Sequence, residues 1–253
     1  MRPRLGTLVA VTVWRLAIAG CALYGLDRVT RWSTIPPWES YWGWWPLAEL
    51  SQLASAMIAV CYLGFAAYPF FTGGRRHEPR RSWLRGALTV QMWLVSLTPI
   101  LLFDNHGRLD HPGFLFEHLV TPVVVTLDFL VVGQGQLRSR WWYPLTWIAF
   151  PLVYYIGLAA SGFAHYGNLF PADRPGFLAL VTAGFLVALI GVGYLLHGLA
   201  HLIGLSRAKT SAGATVHSGA RDGGEELGVA AGATQVVDEL LDGVGPDGLQ
   251  RAP

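Results

Sequence analysis

The stretch FLFEHLVTPVVVTLDFL, residues 114–130, places three titratable side chains in a segment that is otherwise apolar: Glu117, His118 and Asp128. Imidazole and carboxylate groups are the side chains that enzymes use most often as general acids and bases. An ionisable group at the centre of a bilayer costs about 2.5–3.5 kcal/mol by insertion scales, so it normally faces the protein interior and has a partner. The stretch therefore predicts a buried polar site on a membrane helix.

The spacing of these groups predicts two layers on one helix face. At about 100° per residue, Glu117, His118, Thr121 and Asp128 fall within an arc of roughly 100°. His118 and Asp128 are about 15 Å apart along the helix, which is too far for contact. Between them, Pro122 removes a backbone hydrogen bond that the Thr121 hydroxyl can partly replace, so we expect a loosened helix there.

The composition is that of an integral membrane protein. Of 253 residues, 53% are apolar and 13% charged, against about 25% charged in soluble domains. Apolar runs recur that are long enough to cross roughly 30 Å of hydrocarbon. The net charge of +2, without a basic and aromatic patch, argues against nucleic acid as a partner. Membrane lipids are the predicted partners.

The two cysteines, Cys21 and Cys61, form neither a disulfide framework nor a zinc motif. The N-terminal MRPR, the apolar run and IAGC together resemble a bacterial lipoprotein signal that would be processed at Cys21. However, Arg15 interrupts the apolar run. We therefore expect the segment to be retained as the first span.

The fold class predicted is all-α: a polytopic bundle of six transmembrane helices over residues 1–206, followed by a disordered cytoplasmic tail over 207–253. The tail is rich in Gly, Ala, Ser, Asp and Glu and has no sustained apolar period. Turn and charge signals separate the spans. The spans cover roughly 5–26, 47–71, 86–103, 114–133, 145–164 and 177–205.

Basic residues predict the orientation, because Lys and Arg in short loops stay cytoplasmic. They recur on alternate sides of the six spans, at the N-terminus, in the second and fourth loops and after the last span. They are Arg2, Arg4, Arg75, Arg76, Arg80, Arg81, Arg85, Arg138, Arg140, Arg207 and Lys209. This pattern predicts a multi-pass protein of the cell membrane with both termini in the cytoplasm.

On this topology, spans two, four and five bring polar groups to one layer near the outer face. The layer contains Glu49, Ser51, Gln52, Glu117, His118, Thr121, Ser161 and His165. The lower layer contains Asp128, His197 and His201, and we expect Arg15 of the first span to pair with Asp128 or another carboxylate. The alternative is that these groups only hold helices together, through hydrogen bonds of about 0.6 kcal/mol each.

His197 and His201 are four residues apart on one helix face, as two metal or haem ligands could be. No second histidine pair faces them, and two imidazoles do not complete a metal shell. Packing or proton relay is the preferred interpretation, and we predict no metal and no cofactor. A haem redox protein is the weakest of the functional hypotheses.

Three segments resemble a known family. EHLVTPVVVTLDFL resembles the fourth-span motif of the bacterial six-span proteins called the Pr-six-Pr family, which are similar to the androgen-induced (FAR-type) membrane proteins of animals. WPLAELSQLASAM and YYIGLAASGFAHYGNLFP are similar to the second and fifth spans of that group. The resemblance covers most of residues 8–205.

The resemblance implies a membrane-embedded hydrolase of fatty acid esters with a threonine nucleophile and a histidine base. His118, ten residues before Asp128, matches the family's histidine, whereas Ala48 or Glu49 stands where its threonine falls. Either Ser51 replaces the nucleophile with His118 as its base, or Glu49 and His118 activate water. The remaining alternative is a non-catalytic protein that binds or transports lipid.

Overall fold

A computed structural model describes residues 5–39, 45–79, 81–102, 109–133, 137, 139–160 and 174–222. All regular elements in these ranges are helical, which confirms the predicted all-α class. In chain order the helices are α1 (Leu5–Thr30), α2 (Leu50–Phe71), α3 (Trp83–Leu102), α4 (Pro112–Val132), α5 (Tyr143–Thr146), α6 (Ala149–Ala160) and α7 (Pro175–Asp222).

Within the described ranges, four helices are long and apolar enough to cross a membrane. They are Leu5–Thr30, Leu50–Phe71, Pro112–Val132 and Ala179–Thr210. The predicted third span falls on α3, whose 20 residues include Arg85 and Gln91 and are therefore less apolar. The predicted fifth span falls on α5 and the 12-residue α6, and its last residues, 161–164, lie outside the described part of the chain.

The distribution of side chains suits a lipid environment. Large apolar side chains are exposed on the outer helix faces, as at Val60 and Leu202, whereas Arg15 and Asp128 are 0% exposed. Soluble proteins rarely bury charged groups so completely. In hydrocarbon, charges turn inward and apolar groups outward.

Small residues let the first helices pack closely. Ala19, Ala22 and Gly25 are buried on α1, which packs most extensively against α2. A Cβ atom at Gly25 would lie only 3.0 Å from Cγ of Glu117 on α4. Such residues allow helix backbones to approach closely where lipid supplies no hydrophobic driving force.

A second close approach joins α3 to the turn between α5 and α6. The indole of Trp147 is fully buried and lies directly against Gly86, so that any Cβ atom at this position would overlap the ring. The absence of a side chain at Gly86 therefore fixes the position of Trp147 in the core.

We expect Gly86→Ala to lower the free energy of unfolding by about 1–3 kcal/mol, because overpacking displaces a buried ring. Denaturant unfolding in detergent micelles measures it. Gly64→Ala is the matched control, since a Cβ atom on α2 meets nothing within 4 Å and alanine favours a helix by about 0.5–1 kcal/mol. Equal stability of the two variants would contradict the packing of Trp147 on Gly86.

The chain divides into two compact units, Met1–Leu205 and Ser206–Pro253. In the second unit the structure describes Ser206–Asp222, which is helical. The disorder predicted for the tail stays a prediction for residues 223–253, which are outside the described ranges.

Candidate functional site

Prolines inside three helices organise the site. Pro122 of α4 has no N–H to donate to the carbonyl four residues earlier, that of His118. The Ser96 hydroxyl of α3 donates to this freed oxygen at 2.6 Å. Residues Phe116–Val120 form a π-helical turn, so the loosening expected at Thr121-Pro122 is present. It is Ser96 that binds the freed carbonyl, and the Thr121 hydroxyl has no hydrogen-bond partner among the described residues.

A second proline, on α3, frees a carbonyl that a side chain of α4 uses. Pro99 of α3 frees the carbonyl of Val95, and Nδ1 of His118 lies 2.7 Å from this oxygen. A carbonyl only accepts, so Nδ1 donates and the neutral ring carries its lone pair on Nε2. Phe114 packs on the imidazole, with ring centroids 4.1 Å apart. His118 is therefore held in one orientation and one tautomer.

A third proline opens α2 at its far end. Pro69 frees the carbonyl of Phe65, and Nη1 of Arg15 donates to that oxygen at 3.3 Å. Arg15 also donates to the carbonyl of His77 in the following loop. Each of these three prolines thus creates an acceptor that a side chain from another part of the chain uses.

Polar groups meet where α2 and α4 begin. Glu117, which is 1% exposed, is within hydrogen-bonding reach of the Ser51 hydroxyl and close to Glu49. Ser51 Oγ donates to Oε1 of Gln52 at 2.9 Å. We call Glu49, Ser51, Gln52 and Glu117 the Glu117 cluster. It contains a hydroxyl and two carboxylates at one level.

Glu117 and His118 face different neighbours although they are adjacent in sequence. Successive residues on a helix point about 100° apart. The Glu117 side chain faces α1 at Gly25 and α2 at Ser51, whereas that of His118 faces Val95 of α3. Both are buried, as are Thr121 and Asp128, which confirms the inward face predicted for this helix.

Four charged side chains form a closed ring at the other end of the interior. Asp128 Oδ1 lies 3.9 Å from Nε of Arg15, and Oδ2 lies 3.6 Å from Nη1 of Arg85. Glu78 Oε2 closes the ring, at 3.3 Å from Arg15 and 3.1 Å from Arg85. We call these residues the Asp128 ring. Two positive and two negative charges compensate each other in a buried site.

Two further groups border the Asp128 ring. The hydroxyl of Tyr62, a fully buried residue of α2, donates to Oδ2 of Asp128 at 3.2 Å. His77, in the loop before Glu78, is 4% exposed, and its Nε2 has no hydrogen-bond partner within the described ranges. Burial lowers the pKa of His77, and Arg15 and Arg85 act in the same direction, whereas Glu78 opposes them.

We expect the protein to lose stability as the pH falls below about 6.5, the ordinary histidine pKa. Because the pKa of His77 is lower in the folded protein, the unfolded chain binds more protons in this range and folding becomes less favourable. Unfolding measured between pH 8 and about 5 should show this decrease, and His77→Gln should reduce it. An identical pH dependence in His77→Gln would contradict the assignment.

His197 and His201 lie together on α7, with ring centroids 4.6 Å apart. Ser139 engages both, through its hydroxyl at 3.1 Å from Nδ1 of His197 and its carbonyl at 3.4 Å from Nε2 of His201. The described residues contain no group of three or more His, Cys, Asp and Glu side chains arranged to hold a metal ion.

Ser161 and His165, predicted for the same layer as Glu117, lie outside the described residues. The described part of the predicted fifth span contributes Tyr154 of α6 instead, whose hydroxyl donates to the carbonyl of Ala48 at 2.7 Å. Ala48 immediately precedes Glu49. Predicted spans two and five are therefore joined beside the Glu117 cluster.

An apolar groove of about 310 Å³ runs between α3 and α7. Its lining includes Leu94 and Leu97 of α3 and Phe185 and Val192 of α7. The neighbouring residues of α3, Val95 and Ser96, contact α4 through His118. One helix therefore separates the groove from the buried imidazole.

Sequence reasoning did not identify Arg85, Glu78, Tyr62, His77 or Tyr154 as part of the interior. Arg85 entered only as an orientation signal among the basic residues of the second loop. The sequence did contain a signal for Arg85. This arginine stands at the start of an apolar helix, where it needs an acidic partner, and the predicted pair of Arg15 with Asp128 leaves none for it.

Comparisons with protein-family models, with curated proteins and with solved structures find no match to this chain.

Proposed function

We propose that this chain is a multi-pass protein of the cell membrane that hydrolyses lipid esters at the Glu117 cluster. The proposal includes six spans in a bundle and both termini in the cytoplasm. Four long apolar helices and the alternation of basic loops support it. The resemblance to the Pr-six-Pr family remains part of the proposal.

The observation that carries the proposal is the neighbourhood of Ser51. Its hydroxyl is half-buried, donates to Gln52 and lies within reach of the buried Glu117 carboxyl. A serine beside a proton acceptor is the arrangement that activates a hydroxyl as a nucleophile. Because the site lies among apolar membrane helices, an ester with a long acyl chain is the substrate class that it favours.

In the proposed reaction, the Ser51 hydroxyl turns from Gln52 to Glu117, and Oγ attacks the ester carbonyl carbon while its proton passes to the Glu117 carboxylate. The tetrahedral intermediate collapses, the bond to the alcohol oxygen breaks, and the leaving alcohol takes that proton. Water then attacks the acyl-serine and loses a proton to Glu117, and the proton returns to Ser51 Oγ as the carboxylic acid leaves. The products are one acid and one alcohol, and no redox partner is required.

Two groups compete for the role of base. The first candidate is His118, the base that the sequence predicts, whose neutral form keeps its lone pair on Nε2 because Nδ1 donates to the Val95 carbonyl. Ser51 lies beside Glu117, so we assign the proton transfer to Glu117. His118 is the next residue in the sequence, and in this proposal the reaction does not depend on it.

The test is labelling with a fluorophosphonate probe, which reacts with activated serines, followed by peptide mapping. We expect the label on Ser51 and its loss in Ser51→Ala. Ser55→Ala is the matched control, because Ser55 lies one turn further along α2 and is fully buried. Labelling that persists in Ser51→Ala would overturn the proposal. Lipid that co-purifies without any hydrolysis would favour the non-catalytic alternative.

A further inference from the structure

Helices α2 and α4 share one register. Ser51 meets Glu117 at one end, and Tyr62 donates to Asp128 at the other. The members of each pair are 66 positions apart in sequence, so the two helices run parallel with matching levels. Ser55 and Thr121, also separated by 66 positions, must therefore lie at one level between the two contacts.

Helix α3 runs in the opposite direction and adds a third group at this level. Val95 of α3 lies beside His118, and Arg85 lies beside Asp128. Gln91, between these two positions of α3, is consequently level with the middle of α4, near Thr121. We call Ser55, Gln91 and Thr121 the Thr121 layer.

The Thr121 layer is buried and has no internal hydrogen bonds. Its three side chains are at most 1% exposed. Ser55 Oγ, Thr121 Oγ1 and both amide atoms of Gln91 have no hydrogen-bond partner among the described residues. Glu117 Oε1 above and Asp128 Oδ1 below also lack a hydrogen bond there, although Asp128 Oδ1 is ion-paired with Arg15. A buried polar atom without a partner costs about 1–3 kcal/mol. Proteins usually satisfy such atoms with buried water.

We propose that the Glu117 cluster, the Thr121 layer and the Asp128 ring form one hydrated path that conducts protons through the protein. This function is separate from ester hydrolysis and does not rest on it. The Glu117 cluster and the Asp128 ring at the two ends of the path contain titratable groups. The Thr121 layer between them contains hydroxyl and amide groups, which hydrogen-bond to water and carry no charge. Chains of titratable residues inside membrane proteins commonly mark proton relays.

A proton enters at the carboxyl of Glu117, crosses the Thr121 layer along hydroxyls and water, and reaches the carboxylate of Asp128. From the Asp128 ring it leaves through Glu78 and the neighbouring imidazole of His77. Each proton taken up at one end is matched by one released at the other, so the path carries net charge and requires a compensating ion flow.

The test uses purified full-length protein in liposomes that contain a pH-sensitive dye and a potassium gradient. Addition of valinomycin sets a membrane potential that drives protons inward, and the initial rate of acidification is measured. We expect wild-type rates well above those of protein-free liposomes, and rates about tenfold lower for Thr121→Val and Gln91→Leu. Thr126→Val is the matched control, because its hydroxyl already donates to the Pro122 carbonyl and lies on the same helix; its rate should equal wild type.

Several results would overturn the proposal. These are wild-type rates no higher than protein-free liposomes, equal rates in Thr121→Val and Thr126→Val, or a flux carried by sodium instead of protons. If Thr121→Val fails to fold, the acidification rate of Gln91→Leu tests the proposal in its place. Ester hydrolysis measured on the same preparations separates the two functions, since neither variant alters the residues assigned to that reaction.

Discussion

Asp128→Ala is expected to lower the free energy of unfolding by about 3–5 kcal/mol, the cost of leaving a buried charge without its partner. Asp128 is 0% exposed and compensates both Arg15 and Arg85. Removing it leaves two guanidinium groups facing the single carboxylate of Glu78. Denaturant unfolding in detergent, followed by tryptophan fluorescence, measures the change.

Two variants control this result. Asp110→Ala changes the same residue type at an exposed position, and surface substitutions of this kind usually alter stability by no more than about 0.5 kcal/mol. The double variant Arg85→Met with Asp128→Leu removes one positive and one negative charge together, so it should be more stable than Asp128→Ala alone. If the double variant is the less stable of the two, the Asp128 ring does not compensate charge as described.

Glu117→Gln is expected to lower kcat for a long-chain ester by roughly 10²–10⁴-fold, the usual contribution of a general base. Glutamine keeps the size of the side chain but accepts no proton from Ser51. Ser51→Ala should lower kcat further, by roughly 10⁴–10⁶-fold, because the nucleophile itself is lost. Initial rates with purified protein in mixed micelles measure both.

His118→Ala separates the two candidate bases. A loss below about tenfold in His118→Ala, beside a large loss in Glu117→Gln, supports Glu117 as the base. The opposite order would return that role to His118. Glu49→Gln serves as the control for changing a carboxylate in the same cluster, and we expect kcat to fall by less than about tenfold there.

The sequence alone predicts much of the interior on α4. The arc shared by Glu117, His118, Thr121 and Asp128 is buried, because helical geometry and the cost of charge in hydrocarbon leave one choice of face. Arg15 lies beside Asp128, which follows from the need of each buried charge for a partner.

The contribution of the loop between α2 and α3 to the buried interior could not be predicted in the same way. Glu78 and His77 fold back into the core, although the segment around them is polar and rich in arginine. Sequence periodicity describes helices and carries no information on where a loop returns. Likewise, a freed carbonyl is predictable from Pro122, but which hydroxyl binds it depends on the packing of α3, where Ser96 is closest.

The three proline-freed carbonyls have a consequence for biogenesis. In the proposed six-span topology, each of these oxygens would lack a donor in lipid if its helix were inserted alone, at a cost of several kcal/mol. Because α3 and α4 complete each other's backbones through His118 and Ser96, neither is satisfied until the other has arrived. We therefore expect these helices to leave the translocon with some backbone carbonyls lacking a hydrogen bond. The helices should then dock together in one late step of folding in the membrane.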